Sequence, residues 1–212
     1  MEKLLKSLLF FFGVCAVLAV IARLTFLKLW TVPEDVVLAS SMAPNLAAGA
    51  IVVVLYRGDR GLGDLVRCPD PEDAQRWVVG RIAGTQGDQV EMAGPFLTLN
   101  GKRYASTEAC VEPRLNVPHP TDGREVPHVC SRVEFAGGWH YIASAEHAPP
   151  APQRQYRVGP GRVFLLSDNR SYHDDSRDFG AVMADTCKDR ILFRLWGKTG
   201  FADANRRFTL IR

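Results

Sequence analysis

The apolar residues beyond residue 35 fall into short runs of β-forming residues that Gly, Pro and Asp interrupt. Ile51–Tyr56, Trp77–Ile82 and Arg190–Trp196 are such runs, and turn residues between them are typical of antiparallel strands. Asn100 followed by Gly101 predicts a type I′ hairpin turn, because both residues tolerate a positive φ. No later stretch keeps a 3.6-residue apolar period over three turns, so helices should be few and short. The sequence predicts a mainly β fold, a partly closed β-barrel.

The N-terminal part is different, because Leu8–Ala22 is uninterrupted apolar sequence. As a helix it spans roughly 22 Å, and the apolar residues up to Trp30 extend it to the ~30 Å of a bilayer. We therefore expect residues 1–32 to form one transmembrane helix. The alternative is a cleavable signal peptide ending at Ala22, which the apolar residues that follow disfavour. Basic residues flank both ends and leave the orientation open: Lys3, Lys6, Arg23 and Lys28.

The charge and the cysteines of the chain bear on three questions: nucleic-acid binding, disulfide bonds and metal sites. The net charge of +3, without a Lys/Arg-rich block, gives no indication of nucleic acid as a partner. Four of the five cysteines lie beyond the apolar segment, an even number that suits an oxidising compartment and allows three pairings. We favour Cys110 with Cys130, which bracket a loop-rich region, and Cys68 with Cys187. Without a Cys-x-x-Cys motif and with scattered histidines, we predict no metal site.

Residues 105–160 interrupt the strand pattern and are rich in Pro, His, Gly and Arg. We interpret them as an inserted, loop-rich subdomain with weak internal order. The β-rich core then comprises residues 33–104 and 161–200. Residues 201–212 form a C-terminal tail.

Two distant stretches contain the residues best suited to take part in chemistry. The first is Ser-Ser-Met-Ala-Pro-Asn-Leu at residues 40–46, and the second is Ser-Asp-Asn-Arg-Ser-Tyr-His-Asp-Asp-Ser-Arg-Asp-Phe-Gly at residues 167–180. They resemble the nucleophile loop and the Gly-Asp-Asn-Arg motif of the type I signal peptidases, peptidase family S26. The resemblance runs in order from about residue 36 to 197, with the insertion unmatched.

The resemblance implies a function and a place in the cell. Type I signal peptidases remove signal peptides from exported preproteins after an Ala-x-Ala-like segment, and they need no metal or cofactor. The resemblance makes Ser41 the nucleophile and places the oxyanion region at Ser40 and Ser41. It also implies a single-pass protein of the bacterial cytoplasmic membrane, embedded in the lipid bilayer, whose catalytic domain faces the periplasm or exterior. A processing peptidase of conjugation pili would share this chemistry with other substrates.

The family's general base, a lysine, is absent. In the family it precedes an arginine that Arg81 matches here, and Gly80 occupies the lysine position. His173 stands where the family has a serine beside that lysine. An imidazole acts as a base near neutral pH without burial, so we hypothesise that His173 replaces the lysine, with Asp174 or Asp175 orienting its ring. The alternative is a catalytically inactive homologue that binds signal peptides or membrane proteins without cleavage.

The remaining motif residues have a structural role in this reading. The resemblance implies two ion pairs, Arg81 with Asp168 and Asp175 with Arg177, beneath the active site. Breaking a buried pair of this kind costs about 3–5 kcal/mol. Variants at these positions should therefore lose activity by losing the fold.

Overall fold

The computed structural model describes residues 2–73, 75–149, 151–203 and 207–211. Its helices are α1 (Glu2–Thr25), α2 (Val36–Ser41) and α3 (Ser176–Phe179), with a 3-10 turn at Ala184–Thr186. As predicted, the helices after residue 35 are few and short. Some positions of the predicted anchor, insertion and tail lie outside the described residues: Met1, Pro150, residues 204–206 and Arg212.

Helix α1 covers most of the predicted anchor and has large apolar side chains at its surface. The side chains of Leu4 and Phe10 are 69% and 74% exposed. In the described part of the chain, however, no helix combines the length and apolar character needed to cross a membrane. The predicted transmembrane helix is therefore not confirmed.

The fold is mainly β, with 46% of residues in strands and 16% in helices, as the sequence predicts. The strands are β1 (Leu27–Thr31), β2 (Ile51–Leu55), β3 (Leu65–Pro69), β4 (Trp77–Thr85), β5 (Gln89–Ala93), β6 (Phe96–Leu99), β7 (Lys102–Tyr104), β8 (Ser106–Pro118), β9 (Glu125–Phe135), β10 (Gly138–Ala145), β11 (Arg154–Arg157), β12 (Arg162–Leu166), β13 (Val182–Met183), β14 (Asp189–Trp196) and β15 (Thr209–Leu210). Strand β15 lies within the predicted C-terminal tail and pairs with β14.

The largest sheet has eight strands and curls into a half-barrel. Its order is β1-β2-β14-β3-β4-β12-β13, with β15 beside β14, and all its pairings are antiparallel. Strand β2 alternates buried and half-buried residues, as expected when one sheet face meets the core. Leu38 of α2 and Met42, which follows the helix as its C-cap, pack into the same core cluster as Val52 and Val54. Helix α2 is thereby fixed against the sheet, and the end of α2 is where Ser41 lies.

A four-stranded sheet, β11-β5-β6-β7, carries the predicted hairpin. Strands β6 and β7 pair through Leu97 with Tyr104 and Leu99 with Lys102. Between them, Asn100 and Gly101 adopt φ values of 50° and 80°. Two successive positive φ values define a type I′ turn, so the prediction from the Asn-Gly pair is confirmed.

The prediction of weak internal order for residues 105–160 is wrong. Strands β8, β9 and β10 form a three-stranded antiparallel sheet in that segment, in the order β10-β9-β8. The prolines do not prevent pairing, because β8 is an edge strand of this sheet and its register shifts between Ala109 and Arg114, around Pro113. The bounds of the insertion as a separate domain remain a prediction.

Both favoured disulfides are present. Cys110 bonds to Cys130 and so joins β8 to β9. Cys68 in β3 bonds to Cys187, 119 residues away in sequence. A cross-link over so long a loop restricts the unfolded chain more than a short one does. It ties the end of β3 to the segment that follows the second motif.

Candidate active site

Ser41 lies in the last turn of α2, buried against the core. The helix begins at this place because Asp35 caps it: its Oδ1 accepts hydrogen bonds from the backbone N–H of Val37 at 2.8 Å and of Leu38 at 3.4 Å. The Ser41 hydroxyl donates to the Leu38 carbonyl at 3.1 Å. The predicted oxyanion region, Ser40 and Ser41, is therefore the C-terminal turn of a short capped helix.

Asn169 joins the two motif stretches. Its backbone N–H donates to the Ser41 carbonyl at 2.8 Å, and its side-chain amide donates to the Ser40 carbonyl at 3.0 Å. Its side-chain oxygen accepts hydrogen bonds from the backbone N–H groups of Ser171 and Tyr172. One buried asparagine thus fixes the nucleophile turn and shapes the loop that leads to His173.

The predicted pair of Arg81 with Asp168 is present and buried. Arg81 Nε donates to Asp168 Oδ1 at 2.6 Å, and Nη2 donates to Oδ2 at 3.1 Å. Asn45, which stands where the family has a threonine, donates its amide to Asp168 Oδ2 at 2.7 Å and to the Tyr141 carbonyl at 2.6 Å. The carboxylate therefore connects β4 to the nucleophile loop, and Asn45 connects that loop to the insertion.

The second predicted pair, Asp175 with Arg177, is also present. Arg177 Nη2 lies 2.7 Å from Asp175 Oδ2, and the same oxygen accepts the backbone N–H of Ser167 at 2.7 Å. Burial acts to raise the pKa of Asp175, but the charge of Arg177 and these hydrogen bonds outweigh it and lower the pKa. Asp175 is therefore a buried carboxylate whose charge is stabilised in the folded protein.

The backbone beside Gly80 is closely packed. A Cβ atom at Gly80 would lie 3.0 Å from the Cβ of Leu165 and 3.4 Å from the backbone nitrogen of Leu166. These atoms belong to β12, which pairs with β4 through Arg81 and Leu166. A side chain at Gly80 would therefore press on β12, and Leu165 would have to move by a few tenths of an ångström.

His173 is paired with Asp178. Its Nδ1 lies 2.7 Å from Asp178 Oδ2, whereas Asp174 contacts Arg76 and Asp175 is occupied by Arg177. The prediction that Asp174 or Asp175 orients this ring is wrong, because the first turn of α3 brings residue 178 back over the loop. Asp178 Oδ2 also accepts the backbone N–H of Asp175 at 3.2 Å, closing a capping box.

His140 is the functional candidate that the sequence did not indicate. It comes from β10 in the insertion, is only 4% exposed, and its Nε2 lies 3.9 Å from Asp168 Oδ1. Burial, followed by the charges of Arg81 and Arg170, places the pKa of His140 well below its usual value. Burial and the neighbouring Arg177 also lower the pKa of Arg170, to about 10.

His173, Asp175 and Asp178 bring their ligand atoms within 4.8 Å of one another. Such a group has the composition of a metal site. Both oxygens of Asp175, however, already accept hydrogen bonds from Arg177, and a bound cation would lie against that guanidinium. We therefore assign no metal to this cluster.

A cavity of about 820 Å³ lies between the insertion and the second motif. Its size is that of a ligand or peptide pocket. His173 and Asp178 are part of its wall, together with Tyr172, Tyr156 and Arg154. The histidine–aspartate pair is thus accessible from a pocket.

The chain was compared with known protein families and curated proteins. The family model described as signal peptidase, peptidase S26, matches residues 5–196. The chain belongs to this family. Signal peptidase I of Bacillus caldolyticus is 28% identical over 186 residues, covering 83% of this chain and 86% of that protein. Signal peptidase IB of Staphylococcus aureus is 28% identical over 118 residues, covering 56% of this chain and 52% of that protein.

The chain therefore spans about half the length of the Staphylococcus aureus relative that it matches. The S26 match includes both motif stretches, which the structure brings together at Asn169. In the described part of the chain, the hydrogen-bond partner of the Ser41 hydroxyl is a carbonyl oxygen, and no bond links Ser41 to His173.

Proposed function

We propose that this protein is a membrane-anchored serine endopeptidase that removes signal peptides from exported preproteins, with Ser41 as the nucleophile. The observation that carries the proposal is the junction at Asn169, where the Ser41 carbonyl accepts a 2.8 Å hydrogen bond. Through this junction the turn that contains Ser41 is bonded to a segment that two buried ion pairs hold in place. A rigid scaffold of this kind is what a positioned nucleophile requires.

The proposal assigns the general base to His173. The Ser41 oxygen would attack the scissile carbonyl while the imidazole takes its proton, and the backbone N–H of Ser41 would stabilise the oxyanion. The imidazole would then protonate the leaving amine, and water would hydrolyse the acyl-enzyme. In the free protein the Ser41 hydroxyl bonds to Leu38, so the bond to His173 would form when substrate binds, as catalytic hydrogen bonds often do.

The proposed substrate is the segment before the mature part of an exported preprotein, with small residues in an Ala-x-Ala-like pattern. It would bind in extended form by adding a strand beside the loop that carries Ser41. No metal or cofactor takes part. The proposed location is the bacterial cytoplasmic membrane, with the β domain facing the periplasm or exterior.

The exposed apolar side chains of α1 support the proposed membrane anchor. We expect the full chain to stay with membranes after alkaline carbonate extraction, because the bilayer buries those side chains. Replacing both Leu9 and Val17 by lysine should release the protein, since a charge at the bilayer centre is costly. A matched control is the same double change at two exposed β-domain residues, Val111 and Val129. Release of the wild type would refute the anchor.

A second candidate function is supported by Gly80. The family lysine is missing, and a Cβ at Gly80 would lie 3.0 Å from the Cβ of Leu165, so a side chain there would require its neighbours to move. A homologue that binds signal peptides or membrane proteins without cutting them would have this property. It differs from the peptidase in requiring neither the Ser41 hydroxyl nor an imidazole at residue 173.

Cleavage of a model preprotein in detergent micelles separates the two candidates. We expect the wild type to cleave, with a rate that rises across the range in which imidazoles titrate, pH about 5–9. Ser41→Ala and His173→Ala should each abolish cleavage, because each removes a group that reacts. His147→Ala is the matched control, since His147 lines the same cavity as His173 but lies outside both motifs.

Two other outcomes of this cleavage assay would contradict part of the proposal or all of it. Cleavage by His173→Ala but not by Ser41→Ala would exclude His173 as the base and keep the peptidase. No cleavage by the folded wild type, with binding of a signal peptide retained, would establish the non-cleaving homologue.

A further inference from the structure

The carboxylate that serves His173 can be identified from the contacts around the ring. Nδ1 of His173 lies 2.7 Å from Asp178 Oδ2. An ionised carboxylate only accepts hydrogen bonds, so Nδ1 carries the proton and donates it to Asp178. The neutral ring then has its lone pair on Nε2, which is the nitrogen able to accept a proton.

The neighbouring carboxylates are committed elsewhere. Asp175 accepts hydrogen bonds from Arg177 and from the backbone of Ser167. Asp174 contacts Arg76 at 3.4 Å. Among the aspartates of this loop that the structure describes, Asp178 is the one bonded to His173.

Asp178 is itself held in place. Its side chain accepts the backbone N–H of Asp175 in the capping box of α3, while Asp175 caps the same turn through the backbone N–H of Arg177. The carboxylate facing His173 therefore has a fixed position relative to the second motif. A fixed acceptor is what a histidine needs in order to keep one tautomer and one ring orientation.

We propose that Asp178 is a positioning residue that holds His173 in the Nδ1–H tautomer and leaves Nε2 to take the proton of Ser41. This inference rests on the function proposed above and completes it as a serine–histidine–aspartate arrangement. The proton moves from Ser41 Oγ to Nε2 as Oγ bonds to the carbonyl carbon, and it leaves Nε2 with the departing amine. Asp178 keeps its negative charge throughout and stabilises the imidazolium.

The test compares Asp178→Asn with the wild type. The same Oδ2 accepts from His173 and from the Asp175 N–H, so asparagine can place its oxygen there and keep the cap of α3, but it removes the negative charge that stabilises the imidazolium. We expect kcat to fall on the order of 10- to 10³-fold with little change in KM. The fall should be smaller than for the buried aspartate of a serine protease triad, because the Asp178 side chain is 44% exposed. Asp174→Asn is the matched control and should leave kcat near the wild-type value.

A second readout does not depend on activity. The ¹⁵N chemical shifts of the His173 ring, measured in the full chain at pH about 8, should report Nδ1–H in the wild type, and this preference should be lost in Asp178→Ala, which removes the acceptor of Nδ1–H. Wild-type kcat in Asp178→Asn, in an enzyme that needs His173, would overturn the inference and leave the proposed function intact. Nε2–H in the wild type would also overturn the inference. If the wild type does not cleave, the proposed function fails and the inference fails with it, because the inference includes proton transfer from Ser41.

Discussion

Truncation of Asp168 to alanine is expected to lower the free energy of unfolding by about 3–5 kcal/mol, because it leaves a buried guanidinium without its carboxylate. Asp168 is fully buried, and its two oxygens accept hydrogen bonds from Arg81 at 2.6 and 3.1 Å. The change also removes the acceptor that Asn45 uses at 2.7 Å. The four tryptophans of the chain allow the measurement, by urea unfolding of the full protein in detergent micelles followed by fluorescence.

The matched control is the exposed pair of Lys198 with Glu34. These side chains lie 2.9 Å apart but are 63% and 66% exposed, so Lys198→Ala should change the free energy of unfolding by less than about 1 kcal/mol. Asp168→Asn should fall between the two, since it keeps an acceptor and loses the charge. If Asp168→Ala were no more destabilising than Lys198→Ala, the ion pair would not be a structural element of the site.

The sequence predicted two kinds of feature: strands and turns that neighbouring residues determine, and ion pairs that follow from the family motifs. The β2 run and the Asn100–Gly101 hairpin follow from β-forming residues and turn chemistry, which act over a few residues. The pairing of Arg81 with Asp168 came from motif matching, since nothing local relates residues 87 positions apart. Both kinds of prediction agree with the structure.

The parts that were missed depend on contacts between distant segments. His140 and the Tyr141 carbonyl reach the second motif because the insertion folds into a sheet whose β10 strand bonds to Asp168 and Arg170 through Ala143. No signal near residue 140 indicates that approach. The strands themselves were missed because the Pro and Gly content of residues 105–160 predicts loops, although an edge strand with a shifted register tolerates the prolines of β8.

The partner of His173 was predicted wrongly for a more local reason. Asp174 and Asp175 are its neighbours in sequence, but Asp175 is turned inward as the cap of α3 and Asp174 is directed to Arg76. A single helical turn then brings Asp178 into contact with the ring. Distinguishing these three aspartates requires knowing where α3 begins, and helix boundaries are among the least certain features of a sequence prediction.

His140 should make the protein less stable as the pH falls below about 6.5. In the unfolded chain a histidine binds a proton near pH 6.5, whereas burial beside Arg81 and Arg170 lowers the pKa of His140 in the folded protein well below that value. Asp168, 3.9 Å from Nε2, is the acidic group facing the ring, but it is already bonded to Arg81.

Between the two pKa values the unfolded state holds the extra proton. The free energy of unfolding therefore falls as the pH drops through this window, by about 1.4 kcal/mol per pH unit for one proton. His128, whose pKa burial also lowers, adds to the wild-type slope in the same direction.

We therefore expect His140→Gln to remove only the contribution of one proton, seen as a shallower slope between pH about 6.5 and 5 in urea unfolding of the full chain. Because the two proteins share all other titrating groups, the difference between their slopes reports the proton of His140. The difference in unfolding free energy at pH about 8, above the titration range of a histidine, reports any loss of packing. Equal slopes in the two proteins would mean that His140 does not stay neutral in the fold, and that the insertion does not bury an uncharged imidazole against the Arg81–Asp168 pair.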